Sequence, residues 1–457
     1  MRTTTVHSDS ISSGIRLDAK YYLSPGVHAR TVILELKLRG TTCILLGTAD
    51  GAARIWAPER FKHCYASPYE ESVAYLRPYD VFKYLPASST RLSKVRSTDI
   101  DSLLVPRGTI LQTRSGRNLG PSVIVDGYLS AFAHGNDIFR IAIEDEELSW
   151  YIFAFLNSAI GQSLLRRGKS GSVIDHLNLG HLQSQEIPVL DVKIRARVSA
   201  MVRHAFEARE HARLSLVRLE QEYLRSFPVP ERGADLKSGW TVSPARARHR
   251  IDAAFHDPLV QEIRSNLLQA GGVPVSKIAK VLKPGGRHKT KYVSQELGPP
   301  YLSGRQILQH RPVNLRHLSP SSIFDIDHFT LRPNWILYQA DGRVQTDLGE
   351  PVMSTRSRDG WLASGHIGRV IPNNPEHAAW LYLALRTPHC QLQLKSMASG
   401  SVVDSTFEAD MESVIVPPNL VRSPEVIAAW GLLSEADELD QESFATIDRE
   451  FAAIAQS

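Results

Sequence analysis

Residues 193–225 read KIRARVSAMVRHAFEAREHARLSLVRLEQEYLR. Within this stretch apolar or small residues recur in alternating steps of four and three, at Ile194, Val198, Met201, Ala205, Ala208, Ala212, Ser215 and Leu219, with Tyr223 one turn further on. The pattern is a heptad seam of about four heptads, which predicts a long helix that packs against another helix. Pro228 and Pro230 come after it, and proline cannot continue a helix.

A second heptad-like stretch lies at about Pro424 to Ala455, and its flanking charges are opposite in sign. Its apolar residues flank a polar middle around Asp437 and Asp440, and are Val426, Trp430, Leu433, Phe444, Ile447, Phe451 and Ile454. The flanks of the first helix are basic, with Lys193, Arg195, Arg197, Arg203, Arg209, Arg213, Arg218 and Arg225. The flanks of the second are acidic, with Glu425, Glu435, Asp437, Glu438, Asp440, Glu442, Asp448 and Glu450. Opposite flanking charges select partner and orientation, so we expect the helices to pair as an antiparallel coiled coil. The alternative is that each helix packs on its own domain and carries its charges as a solvated face.

The two halves of the chain carry the same landmarks in the same order, about 230 residues apart. The matching segments are Arg16-Leu17-Asp18-Ala19 and Arg250-Ile251-Asp252-Ala253; Tyr75-Leu76 and Tyr301-Leu302; Asp99-Ile100-Asp101 and Asp325-Ile326-Asp327; Ile110-Leu111 and Ile336-Leu337; Trp150 and Trp380; Gly171-Ser172-Val173-Ile174-Asp175 and Gly400-Ser401-Val402-Val403-Asp404; and Ile187-Pro188 and Val416-Pro417. A collinear series with small drift is hard to obtain by chance, and its period is far too long for a solenoid. We therefore predict two duplicated globular domains.

The predicted fold class is α+β, with two duplicated mixed α/β domains separated by two long helices that pair as an antiparallel coiled coil. The predicted parts are a first domain at 1–192, a central spacer helix at 193–226, a linker at 227–249, a second domain at 250–420 and a C-terminal spacer helix at 421–457. Short β-branched or apolar segments predict strands at Thr31 to Leu36, Leu104 to Gln112 and Ser122 to Val125. We expect one small apolar helix per domain, around Trp150 and Trp380.

Composition narrows the class of protein. The chain has 457 residues, more than single cores usually reach, with 42% hydrophobic and 22% charged residues. Its net charge of +5 is compatible with nucleic acid without requiring it. Cys43, Cys64 and Cys390 show no CxxC spacing, which argues against a zinc cluster or a disulfide framework. No leader or membrane-length apolar run is evident, so we expect a cytoplasmic protein. Because neither zinc-ligand spacing nor a phosphate-binding loop is present in the sequence, we also expect that it needs no cofactor or metal.

Two similar domains at a fixed separation suit a bipartite duplex site, because successive major-groove faces recur about every 34 Å. The candidate DNA contacts are clusters that mix cations with small polar residues. In the first half they are Arg60, Lys62 and His63; Arg114, Ser115 and Arg117; and Arg166, Arg167, Lys169 and Ser170. In the second half they are Arg287, His288, Lys289 and Lys291; Arg305; and Lys395 and Ser396. Arginine can address guanine bidentately and lysine mostly finds phosphate, so each cluster could position or read the DNA. A solvated surface cation is the competing interpretation for any single residue, and the clusters at 166–170 and 287–291 are the strongest candidates.

These segments resemble the DNA-specificity subunit of type I restriction-modification systems. The resemblance rests on GTILQTRSG at 108–116, Phe155-Leu156-Asn157-Ser158, the two Gly-Ser-Val blocks, Ile187-Pro188 before a long helix, and PYLSG at 300–304. It covers nearly the whole chain, and the order and duplication of the motifs are more specific than any one of them. It implies a non-catalytic subunit whose two target recognition domains each read one half of a split DNA site. It also implies that the paired helices separate these domains and dock methyltransferase subunits, and that a translocating nuclease subunit joins the complex.

The sequence departs from that family at the start of both spacer helices. The family often carries Pro-Pro followed by a Glu-Gln pair there, whereas this chain has IPVL at 187–190 and PPNL at 417–420. Asn334-Trp335 also stands where the first half has Gly108-Thr109. The departures bear on which methyltransferase docks, and on whether the complex is a restriction pair or a related phage-defence complex.

Other classes of function remain open from the sequence. One is a stand-alone DNA-binding or scaffold protein that recruits a different enzyme in a defence system. Another is a metal-dependent nuclease, since Asp18 with Glu35-Leu36-Lys37 matches the loose spacing of such a core. Gly298-Pro299-Pro300-Tyr301 resembles the Asn-Pro-Pro-Tyr loop of amino-methyltransferases, but glycine replaces the amide that would accept the amine proton. His134 and His366 lie at near-corresponding points of the halves, and we expect them to be structural or surface residues and not ligands.

Overall fold

The computed structural model describes residues 25–47, 53–59, 62–67, 69–88, 90–116, 119–167, 175–231, 239–247, 250–285, 290–323, 325–418 and 424–456. The α-helices of these ranges are α1 (Pro25–Leu38), α2 (Glu146–Asn157), α3 (Ala159–Arg167), α4 (Leu179–Gln183), α5 (Val192–Ser226), α6 (Pro244–Ala247), α7 (Pro258–Gln269), α8 (Ala378–Arg386), α9 (Pro388–Met397), α10 (Glu408–Ser413) and α11 (Pro424–Gln456). The strands are β1 (Cys43–Leu45), β2 (Ala53–Trp56), β3 (Ser72–Leu76), β4 (Arg91–Ser93), β5 (Ile110–Thr113), β6 (Ser115–Gly116), β7 (Ser122–Ile124), β8 (Ala133–His134), β9 (Ile138–Ile143), β10 (Asp175–His176), β11 (Glu186–Pro188), β12 (Val273–Pro274), β13 (Ala279–Leu282), β14 (Tyr292–Val293), β15 (Pro300–Leu302), β16 (Arg316–Leu318), β17 (Ile336–Gln339), β18 (Asp341–Gly342), β19 (Pro351–Met353), β20 (Leu362–Ala363), β21 (Ile367–Pro372), β22 (Asp404–Ser405) and β23 (Ile415–Val416). In this part of the chain no helix has the length and apolar character that a membrane span requires.

The chain divides by its internal contacts into two compact units. Unit 1 is Met1–Glu210 with Glu435–Ser457, and unit 2 is His211–Ser434. The division runs through both long helices, whereas the predicted domain limits fall at their ends. In each long helix one part packs on unit 1 and the other part packs on unit 2, so the two parts of the helix belong to different units. The domain limits drawn from the sequence stay a prediction.

Unit 1 is built on a four-stranded antiparallel sheet with the strand order β2-β9-β5-β7. A smaller sheet has the order β4-β3-β8, in which β3 is antiparallel to β4 and parallel to β8. Two further pairs are β1 with β11 and β6 with β10. Helix α2 is buried along residues 149–156 and contributes Trp150 and Phe155 to the core of this unit.

Unit 2 repeats this topology. Its four-stranded sheet has the order β13-β21-β17-β19, and in its smaller sheet β15 is antiparallel to β16 and parallel to β20. The registers also correspond, because Ile110 pairs with Ile141 in one sheet and Ile336 with Val370 in the other. The two Ile-Leu motifs of the sequence therefore occupy the same place in two similar sheets, which confirms the duplicated α+β fold.

Three of the local predictions need correction or trimming. The strand predicted at Thr31 to Leu36 is wrong, because these residues lie in α1, where Val32, Ile33 and Leu36 form one buried helical face. Packing of that face outweighs the strand preference of its β-branched residues. The strand predicted at Leu104 to Gln112 begins only at Ile110, since Gly108 has a φ of 90° that an extended strand does not adopt. The expectation of one small helix per domain is also wrong, as α1 to α4 all precede α5.

The two long helices begin and end within a few residues of the predicted limits, and within each unit they contact each other. In unit 1 Arg197 lies 3.8 Å from Glu442 and His204 lies 3.6 Å from Glu435, so residue numbers rise on one helix as they fall on the other. In unit 2 Arg218 forms an ion pair with Glu425. The predicted antiparallel pairing is confirmed. The alternative also holds in part, because the helices contribute Val198, Val202, Phe206, Ile447 and Phe451 to the apolar core of unit 1.

The polar middle of α11 is buried against an arginine of α5. Arg209 is 7% exposed, Asp437 4% and Asp440 3%. The Arg209 guanidinium donates to Asp440 Oδ2 at 2.8 Å and to Asp437 Oδ1 at 3.4 Å, and the buried Tyr84 hydroxyl also donates to Asp437. Burial lowers the pKa of Arg209, but Asp440 and Asp437 more than offset this, and the pKa is raised. The group is therefore an arginine paired with two aspartates and buried inside the helix pair.

In each unit a buried arginine of the larger sheet donates hydrogen bonds to backbone carbonyls of the smaller sheet and holds the two sheets together. Arg140 on β9 donates through Nη2 to the carbonyl of His134 on β8 at 2.9 Å, and Arg369 on β21 donates to the carbonyl of Ala363 on β20 at 2.8 Å. Further acceptors are the carbonyls of Gly135, Ile138, Phe329 and Ile367. Burial lowers the pKa of both Arg140 and Arg369 to about 10. These arginines fix the orientation of one sheet on the other in the same way in both units.

Replacing Arg209 alone should destabilise the protein strongly. Arg209→Met leaves two buried aspartates without their cation, which costs about 3–5 kcal/mol in free energy of unfolding. Adding Asp437→Leu, Asp440→Leu and Tyr84→Phe should recover most of this loss, because neither aspartate then remains buried without the Arg209 cation. Urea unfolding followed by circular dichroism measures both changes. Arg197→Met is the control, since the Arg197 side chain is 64% exposed, and a loss as small for Arg209→Met as for the control would contradict the assignment.

His134 should make unit 1 sensitive to acid. The ring is fully buried with Nε2 3.0 Å from the carbonyl of Leu129, and burial lowers the pKa of His134 to about 4. Between pH of about 6.5 and 4 the unfolded chain binds a proton there that the folded chain does not, so stability falls as the pH falls through this window. His134→Gln should reduce the loss between pH 7 and 4.5 by about 2–3 kcal/mol, measured by urea unfolding at each pH. The same pH dependence in both proteins would show that His134 does not contribute.

Candidate nucleic-acid interface

The described residues of two predicted basic clusters, which include Lys62 and Lys291, lie at equivalent edges of the two smaller sheets. Tyr65 forms a bridge with Leu92 in unit 1, and Tyr292 pairs with Leu318 in unit 2. The hydrogen bonds match as well, since Ser93 N donates to Cys64 O at 2.8 Å and Ser319 N donates to Lys291 O at 2.9 Å. The segment that contains Lys62 and Tyr65 in unit 1 therefore occupies the same place beside its small sheet as the segment that contains Lys291 and Tyr292 in unit 2.

The described members of these two clusters are differently exposed. Lys62 and Lys291 are exposed, whereas His63 is half-buried with its ring edge-on to Tyr75 at 5.3 Å. Arg60, Arg287, His288 and Lys289 lie outside the described residues. Lys62 and Lys291 remain candidates for phosphate contacts, because an exposed lysine on a short edge segment can reach an anionic backbone.

The cluster at 114–117 lies at the end of β5 in unit 1. Arg114 is half-buried with its guanidinium 5.5 Å from the centre of the Phe139 ring, and its backbone binds Asp137 and Leu177. Arg117 lies outside the described residues, as does the side chain of Ser115. Arg114 is thus partly committed to packing.

The cluster at 166–170 begins in the last turn of α3. Arg166 is exposed as a residue and donates to Gln162 Oε1 at 3.5 Å, and partial burial of its guanidinium lowers the pKa of Arg166. The helix ends at Arg167, whose side chain lies outside the described residues together with Lys169 and Ser170. Their role as DNA contacts stays a prediction.

The remaining predicted cations of unit 2 have protein partners. Arg305 forms an ion pair with Asp347 at 2.5 Å. Lys395 is half-buried in α9, and the neighbouring Ser396 is buried and donates to Gln393 O at 2.7 Å. We expect these residues to contribute less to DNA binding than Lys62 or Lys291, because part of their charge or surface is already used within the protein.

The structure also places side chains at these sheet edges that sequence clustering missed. On the strand next to Tyr65 lies the exposed Arg91, and on the strand next to Tyr292 lies the exposed Arg316. Each is a single arginine in a short strand, outside the clusters of cations and small polar residues that the sequence analysis selected. Only strand pairing places them beside the two tyrosines, and no local sequence pattern marks them.

The enzyme alternatives receive no geometric support from the described residues. Glu35 and Lys37 lie on α1 instead of a strand, Lys37 forms an ion pair with Glu186, and Asp18 lies outside the described residues. Asp252, which matches Asp18 in the repeat, binds Arg250 at 2.7 Å. In the described ranges no group of three or more His, Cys, Asp or Glu residues is arranged to hold a metal ion. A structural role also suits the buried His134, whereas His366 is an exposed partner of Asp341 at 2.6 Å.

Similarity to known proteins is found among solved structures, whereas no family model and no curated protein matches the chain. The chain is similar to the type I restriction-modification S subunit from M. genitalium at 14% identity, with 90% of this chain and 92% of that chain covered and a TM-score of 0.28. It is similar to the HsdS subunit from Thermoanaerobacter tengcongensis at 14% identity, with 91% and 96% covered and a TM-score of 0.27. A third match, from a structure described as the basis of complex assembly and conformational transition of the type I R-M system, has 15% identity, 91% and 97% coverage and a TM-score of 0.28.

Proposed function

We propose that the chain is the non-catalytic DNA-specificity subunit of a type I restriction-modification complex, in which each domain reads one half of a bipartite site. The observation that carries this proposal is the duplication of one topology, with the cations Lys62 and Lys291 at equivalent sheet edges. Two similar domains would allow two separate DNA segments to be read, one by each domain. The motif resemblance over nearly the whole chain supports the same assignment.

The two long helices would act as the spacer between the half-sites. Helix α5 has 35 residues and α11 has 33, so each is about 50 Å long. This length exceeds the separation of about 34 Å between successive major-groove faces. We propose that this helix pair, whose register is held in unit 1 by the buried Arg209 cluster, sets the number of base pairs left unread. Two target recognition domains and two spacer helices then specify one split sequence.

The motif resemblance also supports the partners that we propose. Methyltransferase subunits would dock on the spacer helices and supply the chemistry, and a nuclease or translocase subunit could join them. We propose double-stranded DNA as the direct ligand and no cofactor for this chain itself. A stand-alone scaffold that recruits a different enzyme is the competing proposal, and co-purification separates the two, because a specificity subunit should copurify with a methyltransferase.

Methylation-sensitive long-read sequencing of host DNA, with and without the gene, tests the proposal. Deletion should abolish methylation at one split motif, consisting of two short half-sites around a fixed gap, because the methyltransferase loses its sequence reader. Re-expression of the intact chain should restore it. A methylome that deletion leaves unchanged would contradict the specificity-subunit assignment and favour the scaffold.

Shortening the spacer should change the gap and leave the half-sites intact. Removing seven residues from both spacer helices, at facing positions away from the Arg209 cluster, shortens the pair by about 10 Å and rotates the remainder of each helix by only about 20°, so the buried face and the register are kept. We expect the methylated motif to retain both half-site sequences with a different number of unread base pairs between them. Methylome sequencing of cells that express the shortened chain measures this. Altered half-site sequences at an unchanged gap would refute the role of the helices as a spacer.

A further inference from the structure

Tyr292 and Arg316 form a preorganised pair on the small sheet of unit 2. The guanidinium of Arg316 lies over the Tyr292 ring, 4.6 Å from its centre, and Tyr292 is 46% exposed. The ring of Tyr301, on β15, lies 6.4 Å from that of Tyr292. Stacking on the ring limits the orientations of the guanidinium plane. The Arg316 side chain therefore loses little conformational entropy when its N–H groups bind a ligand.

The equivalent edge of unit 1 carries the same residue types in another arrangement. Tyr65 is 63% exposed, and Arg91 on the adjacent strand donates to Ser72 Oγ at 2.9 Å and to Ser72 O at 3.0 Å. Ala74 and Pro300 are equivalent, because each directly precedes the matched Tyr-Leu pair. Ala74 pairs with Arg91 and Pro300 pairs with His317, so the position of Arg91 corresponds to that of His317 and not to that of Arg316. The two sheets thus share a frame but differ in the side chains that it presents, as expected of two domains that read different sequences.

We propose that these edges are the base-reading surfaces, with Arg316 and Tyr292 reading the half-site of unit 2 and Arg91 and Tyr65 reading that of unit 1. The assignment rests on the proposed function and specifies which side chains carry it. The major groove admits a β-ribbon, and each small sheet ends at this edge in an antiparallel pair of strands, β14 with β16 in unit 2 and β4 with β3 in unit 1. An arginine fork there recognises guanine O6 and N7, so each half-site should contain a guanine read by its arginine. The nearby Lys62 and Lys291 would bind phosphates and set the position of the ribbon.

Two other exposed arginines of unit 2 suit this role less well. Arg305 is paired with Asp347, and Arg332 is paired with Asp359 at 3.3 Å. An arginine whose fork already binds a carboxylate must break that ion pair before it can bind a base. Arg332 therefore provides a matched control, because it is exposed, cationic and in the same unit as Arg316.

The test is methylome sequencing of cells that carry the full chain and its own methyltransferase, with Arg316→Ala, Arg91→Ala or Arg332→Ala. Arg316→Ala should reduce discrimination at one guanine position of one half-site by about 10- to 100-fold and leave the other half-site unchanged. Arg91→Ala should do the same in the other half-site, and Arg332→Ala should leave the motif unchanged. Arg316→Lys keeps the charge but lacks the fork, so it should also lose discrimination while binding is retained.

The outcomes separate this proposal from the one on which it rests. If the wild-type chain directs no split methylation, the specificity-subunit assignment fails. If the wild type methylates a split motif and Arg316→Ala and Arg316→Lys both leave every base requirement intact, the reading surface is wrong. A uniform loss of methylation at all sites, with an unchanged motif in a variant that circular dichroism shows to be folded, would assign Arg316 to phosphate binding and also overturn the proposal.

Discussion

The antiparallel pairing of α5 and α11 is the constraint on which both globular cores depend. The helices bury apolar side chains against each other and against the domain beside them, so that Phe155 of α2 packs on Phe451 of α11 in unit 1. In unit 2 Tyr382 of α8 packs on Trp430 of α11 in a similar way. Each core is therefore completed by helix segments far away in sequence. Loss of the pairing would expose apolar surface in both units.

Buried charge sets the register of this pairing. A purely apolar seam tolerates sliding by a heptad, whereas Arg209 can satisfy Asp437 and Asp440 in one alignment only. Because replacement of such a cluster by apolar residues is often neutral for stability, we assign to it the specificity of alignment. The proposed role of the helices as a spacer would need a register held in this way.

The small sheet that carries the proposed reading surface depends on a second use of buried arginine. Arg140 and Arg369 donate to backbone carbonyls of the small sheet and hold it against the large sheet. Their position repeats in both units, although the exposed edge residues differ. Repeated anchoring combined with different exposed side chains allows one scaffold to present two specificities.

The sequence by itself determined the duplicated α+β architecture, the two long helices and their antiparallel pairing, because heptad spacing, opposite flanking charge and a collinear repeat are properties of residue order. It also marked Lys62 and Lys291 as candidate contacts. It misassigned α1 as a strand, because β-branched residues such as Val32 and Ile33 favour strands unless tertiary packing buries them on a helical face. Only the tertiary structure decided which of the described cations are bound to carboxylates, and only strand pairing brought Arg316 beside Tyr292. Contacts between residues distant in sequence leave no local pattern, so those assignments required the fold.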